Sequence, residues 1–328
     1  MKKFDLSERW KSEHDFVRAL TDSLSGGRPL QHEAGRIEIL KKFPIGPNAP
    51  WRRGMQEPDL KNFTSPFGLF EGRQDFRGLE FPLAPKLKRW TLKDADLSWA
   101  HISNPWFENC TFQNVIFDNA ILEVYRNIGN KLENCSFNRT KLGSCLFGSD
   151  RTCFSKCSFV HVNLHSRIGC PNAQFDDCLF EHCNFKGLDF DGSSFVRCKF
   201  IGKVEDVWFH GGYPTMPGKP EILEYNEKRF GKARPNQMEN VDFSKAELQD
   251  VTFSDNCLLD TVTMPKQVHT YRFCKWKEVL EAVEERIPFT FSEYEDILRL
   301  VKCFDAHAAM QSWYILEFSF FRKRLGEK

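Results

Sequence analysis

Ala173-Gln174-Phe175-Asp176-Asp177-Cys178-Leu179-Phe180-Glu181-His182-Cys183-Asn184-Phe185-Lys186-Gly187-Leu188-Asp189-Phe190 places a phenylalanine at every fifth position, and the series continues at Phe195 and Phe200. Five matches neither the two-residue period of a strand nor the 3.6-residue period of a helix, so the interval describes a repeating architecture. It also runs earlier, through Leu92, Leu97, Ile102, Phe107, Phe112, Phe117 and Leu122, and later, through Phe243, Leu248, Phe253 and Leu258. Two residues before each centre stands something smaller: Ala95, Ala100, Cys110, Val115 and Ala120, then Cys178, Cys183, Ser193 and Cys198. One small and one large inward side chain per pentad, with polar residues between, predicts a square coil in which each pentad forms one side. Residues twenty apart then stack, Phe175 with Phe195 and Phe180 with Phe200, at the interstrand distance of about 4.8 Å.

Ala95-Asp96-Leu97-Ser98-Trp99, Cys183-Asn184-Phe185-Lys186-Gly187 and Val241-Asp242-Phe243-Ser244-Lys245 follow one pattern: a small residue, Asp or Asn, Leu or Phe, then two variable positions. In this the chain resembles the pentapeptide-repeat family, over about residues 87–200 and 241–260. The resemblance implies a mainly β fold, a right-handed quadrilateral β-helix. The expected organisation is an N-terminal helical and irregular cap at 1–86, a β-helix at 87–265 with an insertion at 201–240, and a C-terminal α-helical module at 266–328. Register slips are expected near 125–130, 150–153 and 165–172.

Forty-six Lys and Arg oppose forty-five Asp and Glu, for a net charge of +1. No global field therefore draws the protein to nucleic acid or to an anionic membrane. Cys110, Cys135, Cys145, Cys157, Cys178, Cys183 and Cys198, seven of the twelve cysteines, fall at the small inward position. Packing explains them better than a disulfide framework does, and many reduced thiols point to a cytoplasmic location. The start of the chain lacks the apolar stretch of a signal peptide, and no run is long enough to span a membrane.

In the flanks, residues 12–24 read as a helix capped by Ser12 or Asp15, and 36–43 as a second. An open β-helix end exposes unpaired strand edges, so the N-terminal segment is the natural cap. Phe76 and Phe81, five apart, are placed to begin the first coil. Beyond Pro265, residues 274–286 have helical spacing, Ser292 with Glu295 forms a capping box, and 306–324 read as a final helix. This tail resembles the helical hairpin that follows the repeats in some longer family members, on Asp305, Ala309, Trp313-Tyr314, Glu317 and Arg322-Lys323-Arg324. Its apolar face, with Trp313 and Phe320, permits docking on the last coil or pairing of two copies.

Cys153, Cys157, His161 and His165 lie at intervals of four, which suits zinc ligation, yet Cys157 occupies an inward packing position. Cys170 with His182 lacks any fixed spacing for nucleophilic catalysis, and Asp176-Asp177 and Asp189 with Asp191 fall at solvated corners of the coil. No phosphate-binding or dinucleotide fingerprint is present. The expected protein is a non-enzymatic protein–protein interaction scaffold that needs no cofactor or metal. Its candidate surface comprises Trp208, Phe209, Tyr213, Trp313 and Phe320, and its partner is a protein. One alternative comes from the resemblance: some family members imitate duplex DNA and bind type II topoisomerases such as gyrase, which requires a strongly acidic face. Lys93 to Lys199 carries eleven basic and twelve acidic residues, a poor match to that requirement. A zinc-binding or enzymatic protein is the second alternative.

Overall fold

The computed structural model describes residues 64–81, 86–103, 105–165, 167–212, 234–266, 270–286 and 311–317, with isolated positions at 6, 8–11, 224, 227, 228, 295, 298 and 299. The chain winds as a four-sided β-solenoid of about six turns. On the first side, strands Thr91–Asp96, Thr111–Ile116, Lys131–Glu133, Cys153–Ser155, Gln174–Asp176 and Ser194–Val196 lie parallel and in order. Their centres pair in one register line, Leu92, Phe112, Leu132, Phe154, Phe175 and Phe195. In-register stacking of like on like turns the spacing of the repeat into columns of rings. Phe175 lies 4.9 Å from Phe195 at 10°, and Phe180 lies 4.8 Å from Phe200 at 9°. On the second side the column runs unbroken from Phe117 through Phe137, Phe159, Phe180 and Phe200 to Phe243.

The small inward residues close the polar accounting of each turn. Cys135, Cys157, Cys178 and Cys198 direct their thiols to the carbonyl oxygens of Phe112, Leu132, Phe154 and Phe175, each in the coil before. Thr140 and Ser193 donate their hydroxyls to Phe117 O and Cys170 O in the same way. A small side chain with a donor therefore outperforms alanine here, because a buried carbonyl gains a partner. All eleven described cysteines are free, nine of them buried. Burial pushes the thiols of Cys145 and Cys183 up to about 12, so they remain inert thiols.

The corners impose a backbone requirement. The second residue after most centres has positive φ: Asp94, Asn114, Asn134, Lys156, Asp177 and Arg197 form one such column, Trp99, Asn119, Arg139, His161, His182 and Gly202 another. Asn114 donates to Asp94 and Asn134 to Asn114, at 2.7 and 2.8 Å, which ties one corner vertically. Asn, Asp and Gly adopt this conformation readily, whereas β-branched Val124, at φ 51°, does not.

Several expectations need correction. The first coil begins before residue 87: Arg73–Asp75 already pairs with Thr91–Asp96, and Glu80–Phe81 with His101–Ser103. The slip expected near 125–130 falls on one side only: Arg126 and Asn127 keep step with Trp106 and Phe107 of the coil before, whereas against the next coil the register shifts between Arg126, opposite Leu146, and Ile128, opposite Ser149. There Tyr125 fills the small position and Asn127 the centre, where its amide donates to Phe147 O. The repeat also continues through the start of the stretch expected to be an insertion. Strand β1 (Leu188–Asp191) pairs with the long strand β2 (Lys199–His210), which pairs in turn with β3 (Asp242–Ser254). Val204 replaces Phe or Leu as a centre, and Phe190 stacks on Phe209 only nineteen residues on, so the pentad count loses a step and conceals this turn.

Both ends of the tower are closed by described residues. At the start, Trp10 stacks on Phe76 and donates to Arg77 O, while Arg9 and Arg77 clamp Asp75 and hold its carboxyl well below the usual range despite burial. At the far end, β4 (Thr270–Cys274) pairs antiparallel with β5 (Trp313–Glu317) beside α1 (Trp276–Arg286). The expected helix at 306–324 is therefore a strand over 313–317. Gln311 pins the chain there, donating to Phe253 O and accepting from Cys257 N, and the aromatic and β-branched Trp-Tyr-Ile run suits an extended backbone. A final helix bearing Trp313 is thus unavailable for pairing two copies. The helices expected at 12–24 and 36–43 lie outside the described residues.

Phe180→Ala is expected to lower the unfolding free energy by about 3–5 kcal/mol in urea denaturation, because a ring enclosed above, below and beside leaves a cavity. Val124→Asn is expected to raise it by about 1 kcal/mol in the same assay, by relieving the left-handed corner.

Candidate functional site

Of the five residues expected to form an interaction surface, the three described ones, Trp208, Phe209 and Trp313, do not converge. Trp208 is 55% exposed on β2, but its neighbour Phe209 is fully buried, stacked between Phe190 and Phe253. Phe209 is a core residue, placed inward by strand alternation. Trp313 is half-buried at the tower end, with the Arg272 guanidinium 5.0 Å from its ring centroid. Tyr213 and Phe320 lie outside the described residues. The zinc-like spacing disperses as well: Cys153 lies half-buried on the first side, Cys157 points inward to Leu132 O, and His161 stacks on His182 on the second side. Among the described residues no three His, Cys, Asp or Glu side chains form a metal-binding group. Cys170 is buried, with its thiol pushed well up by desolvation, so it does not meet His182 on the surface.

A different group assembles where the chain leaves the tower. In the pairing of β1 with β2, Asp189 stands beside Trp208 and Asp191 beside His210; β3 adds Ser254 above His210, and Asp255 follows it. His210 Nε2 is 2.7 Å from Asp189 Oδ1 and 3.8 Å from Asp191 Oδ1, while its Nδ1 is 3.7 Å from Asp255 Oδ2. One imidazole thus spans three successive turns and faces three carboxylates. Only 11% of its side chain is exposed, and Nδ1 has no hydrogen bond among the described residues. Burial raises Asp191 to about 7, with Asp189 and Asp255 adding to the effect and His210 opposing it. Burial alone would lower His210, but the Asp189 hydrogen bond and the three surrounding charges raise it above its ordinary value.

Immediately after His210 the chain turns away. Gly211 donates to Ser254 O at 3.3 Å, and Gly212 donates to Arg234 O at 2.7 Å, so backbone hydrogen bonds hold Gly212 beside Arg234 and form a neck there. A Cβ on Gly211 would stand 2.7–2.8 Å from Asn236 N, Asp255 O and Asn256 O. Trp208, the His210 group and this neck therefore share one side of the tower. The sequence singles out Asp189 and Asp191 but places them at solvated corners. The nineteen-residue interval hides that His210 stacks over them.

A four-sided solenoid whose sides are pentads, with small donors and large rings inside, defines a pentapeptide β-helix. The profile described as Pentapeptide repeats (8 copies) matches residues 172–202, so this part of the chain carries the repeat of that family. Solved structures similar to it include a trypsin-treated form of QnrB1, a plasmid-mediated fluoroquinolone resistance protein. That match has 12% identity and a TM-score of 0.27, covering 56% of this chain and 86% of that one. Another is HetL, a pentapeptide repeat protein involved in heterocyst differentiation regulation from the cyanobacterium Nostoc, at 11% identity and a TM-score of 0.15, covering 60% of this chain and 93% of that one. No curated protein sequence matches the chain.

Gly211→Ala is expected to destabilise the protein by about 1–3 kcal/mol in chemical denaturation, since the atoms a methyl group would meet are backbone rather than movable side chain.

Proposed function

We propose that the protein is a non-enzymatic scaffold that binds a protein partner on the side of the tower bearing Trp208. Trp208 carries this reading: a large indole left more than half exposed in the middle of a three-strand ladder, between the inward-facing Val207 and Phe209. An exposed tryptophan on a rigid strand offers contact area at little entropic cost, and tryptophans dominate binding energy where they anchor interfaces. The neck at Gly212 and Arg234 lies on the same side, so it and Trp208 can meet one partner. The tower interior supports this reading, because its rings and thiols are spent on one another and on backbone carbonyls. The corner column of Asp94, Asn114, Asn134, Lys156, Asp177 and Arg197 mixes both signs of charge, which favours ordinary protein recognition over imitation of a polyanion.

A photo-crosslinking amino acid placed at Trp208 is expected to capture a discrete partner in cells, whereas the same group at Gln113, on the first side, is not. Equal capture from both positions would remove the proposed side from consideration. A captured topoisomerase, with protection of supercoiling activity from an inhibitor, would favour the polyanion-imitating class instead.

A further inference from the structure

We propose that His210, held between Asp189 and Asp191 below and Asp255 above, is a pH-sensitive clasp on the neck at Gly211 and Gly212, closed in mild acid and loosened as pH rises past neutrality. The inference concerns the tower itself and does not rest on the binding role of Trp208.

Three features of the geometry carry it. One imidazole bridges three turns, so its charge decides whether neighbouring turns attract or repel at this point. The centre of the group is withdrawn from water, with 11% of the His210 side chain and 18% of Asp191 exposed, while Asp255 at 30% and Asp189 at 42% lie nearer solvent, so the contact of His210 with Asp191 is the least screened. Finally, His210 directly precedes the two glycines whose backbone bonds close the neck. Among the described residues, His210 is the only cation facing Asp189 and Asp191. From β3 and its turn come Ser254 and Asp255. Beyond them Tyr314 of β5 and the Cys257 thiol feel the Asp255 charge, and burial raises both far beyond the relevant range. Arg234 joins the neck through its carbonyl oxygen.

Both titrations act with the same sign. Asp191, raised in the fold to about 7 from an ordinary 3.8, stays protonated where the unfolded chain has already ionised. Stability is therefore lost between about pH 4 and 7 and is not regained above that. His210 is raised in the fold, so its contribution is complete below 6.5 and is lost as pH climbs through its folded value. In mild acid the group holds a charged imidazole and a protonated Asp191. As pH rises, Asp191 ionises beside the imidazole, and His210 gives up its charge once its own raised value is passed. Asp75, Asp177, Glu205 and Asp242 are lowered and act only in stronger acid, and the raised thiols only in stronger alkali.

The test is urea denaturation of the full chain at pH 5.5, 6.5, 7.5 and 8.5, with amide hydrogen exchange at Gly211 and Gly212 corrected for intrinsic rate. The wild-type unfolding equilibrium constant is expected to rise at least tenfold from pH 5.5 to 8.5, with protection of the two glycine amides falling alongside. Asp191→Asn, nearly isosteric, is expected to flatten the profile and to be more stable than wild type at pH 8.5. His210→Gln is expected to flatten it while weakening the protein at pH 5.5, and His182→Gln to leave the slope unchanged. A wild-type profile that is level or rises in stability toward pH 8.5 would overturn the clasp, as would an Asp191→Asn profile of wild-type slope. If His210→Gln does not fold, the Asp191→Asn comparison decides alone.

Discussion

Parallel strands stacked directly over one another at the hydrogen-bonding distance set each inward side chain on the one in the turn beneath, mostly a large apolar group on another. Once Phe180 is set over Phe159, the residue above must be another flat ring or leave a void, and Phe200 and Phe243 comply. The same constraint governs the small column, where a thiol or hydroxyl reaches down to the carbonyl of the turn beneath. It also governs the corners, where a left-handed residue is needed turn after turn. Few side chains satisfy all three conditions, which is why the pentad is so visible in the sequence.

That constraint also explains which parts are legible in the sequence. The aromatic spine, the stacking of Phe175 with Phe195 and the packing role of the cysteines follow from a local spacing that the fold repeats without change. The turn from Ile201 to Gly212 is illegible because its centre is Val204 and one residue is missing, so a count by fives loses phase. At 125–130 the unusual Tyr125 and Asn127 signal a slip that the fold makes only toward the next coil, since the strand keeps step with the one before it. The segment 313–317 has apolar residues at a spacing that suits a helix, and only long-range pairing with Thr270–Cys274, with Gln311 as anchor, decides for a strand. The His210 group belongs to this last kind, since nothing local in Asp189, His210 or Asp255 announces that three turns bring them together.

The division of labour between inside and outside follows from the same geometry. Along the described turns the interior is filled by its own rings, and the distinctive groupings of side chains lie where the regular winding is disturbed. Here the disturbances cluster: a short turn, two adjacent glycines, a buried histidine among carboxylates and an exposed indole lie within a few residues of one another. Elsewhere the outer columns are short polar ladders such as Asp94, Asn114 and Asn134, whose hydrogen bonds are satisfied along the tower.

The nine sealed thiols carry a consequence for how the chain is made. Each sulfur is covered only when its own turn has closed and the next has landed upon it, so winding from one end leaves just the topmost row open to peroxide or to a stray disulfide at any moment. A stalled or unravelled chain would instead present the whole set at once. Oxidation of the nine buried sulfurs would therefore mark a chain caught unwound, whereas the half-buried Cys153 and the exposed Cys274 stay open in the folded tower.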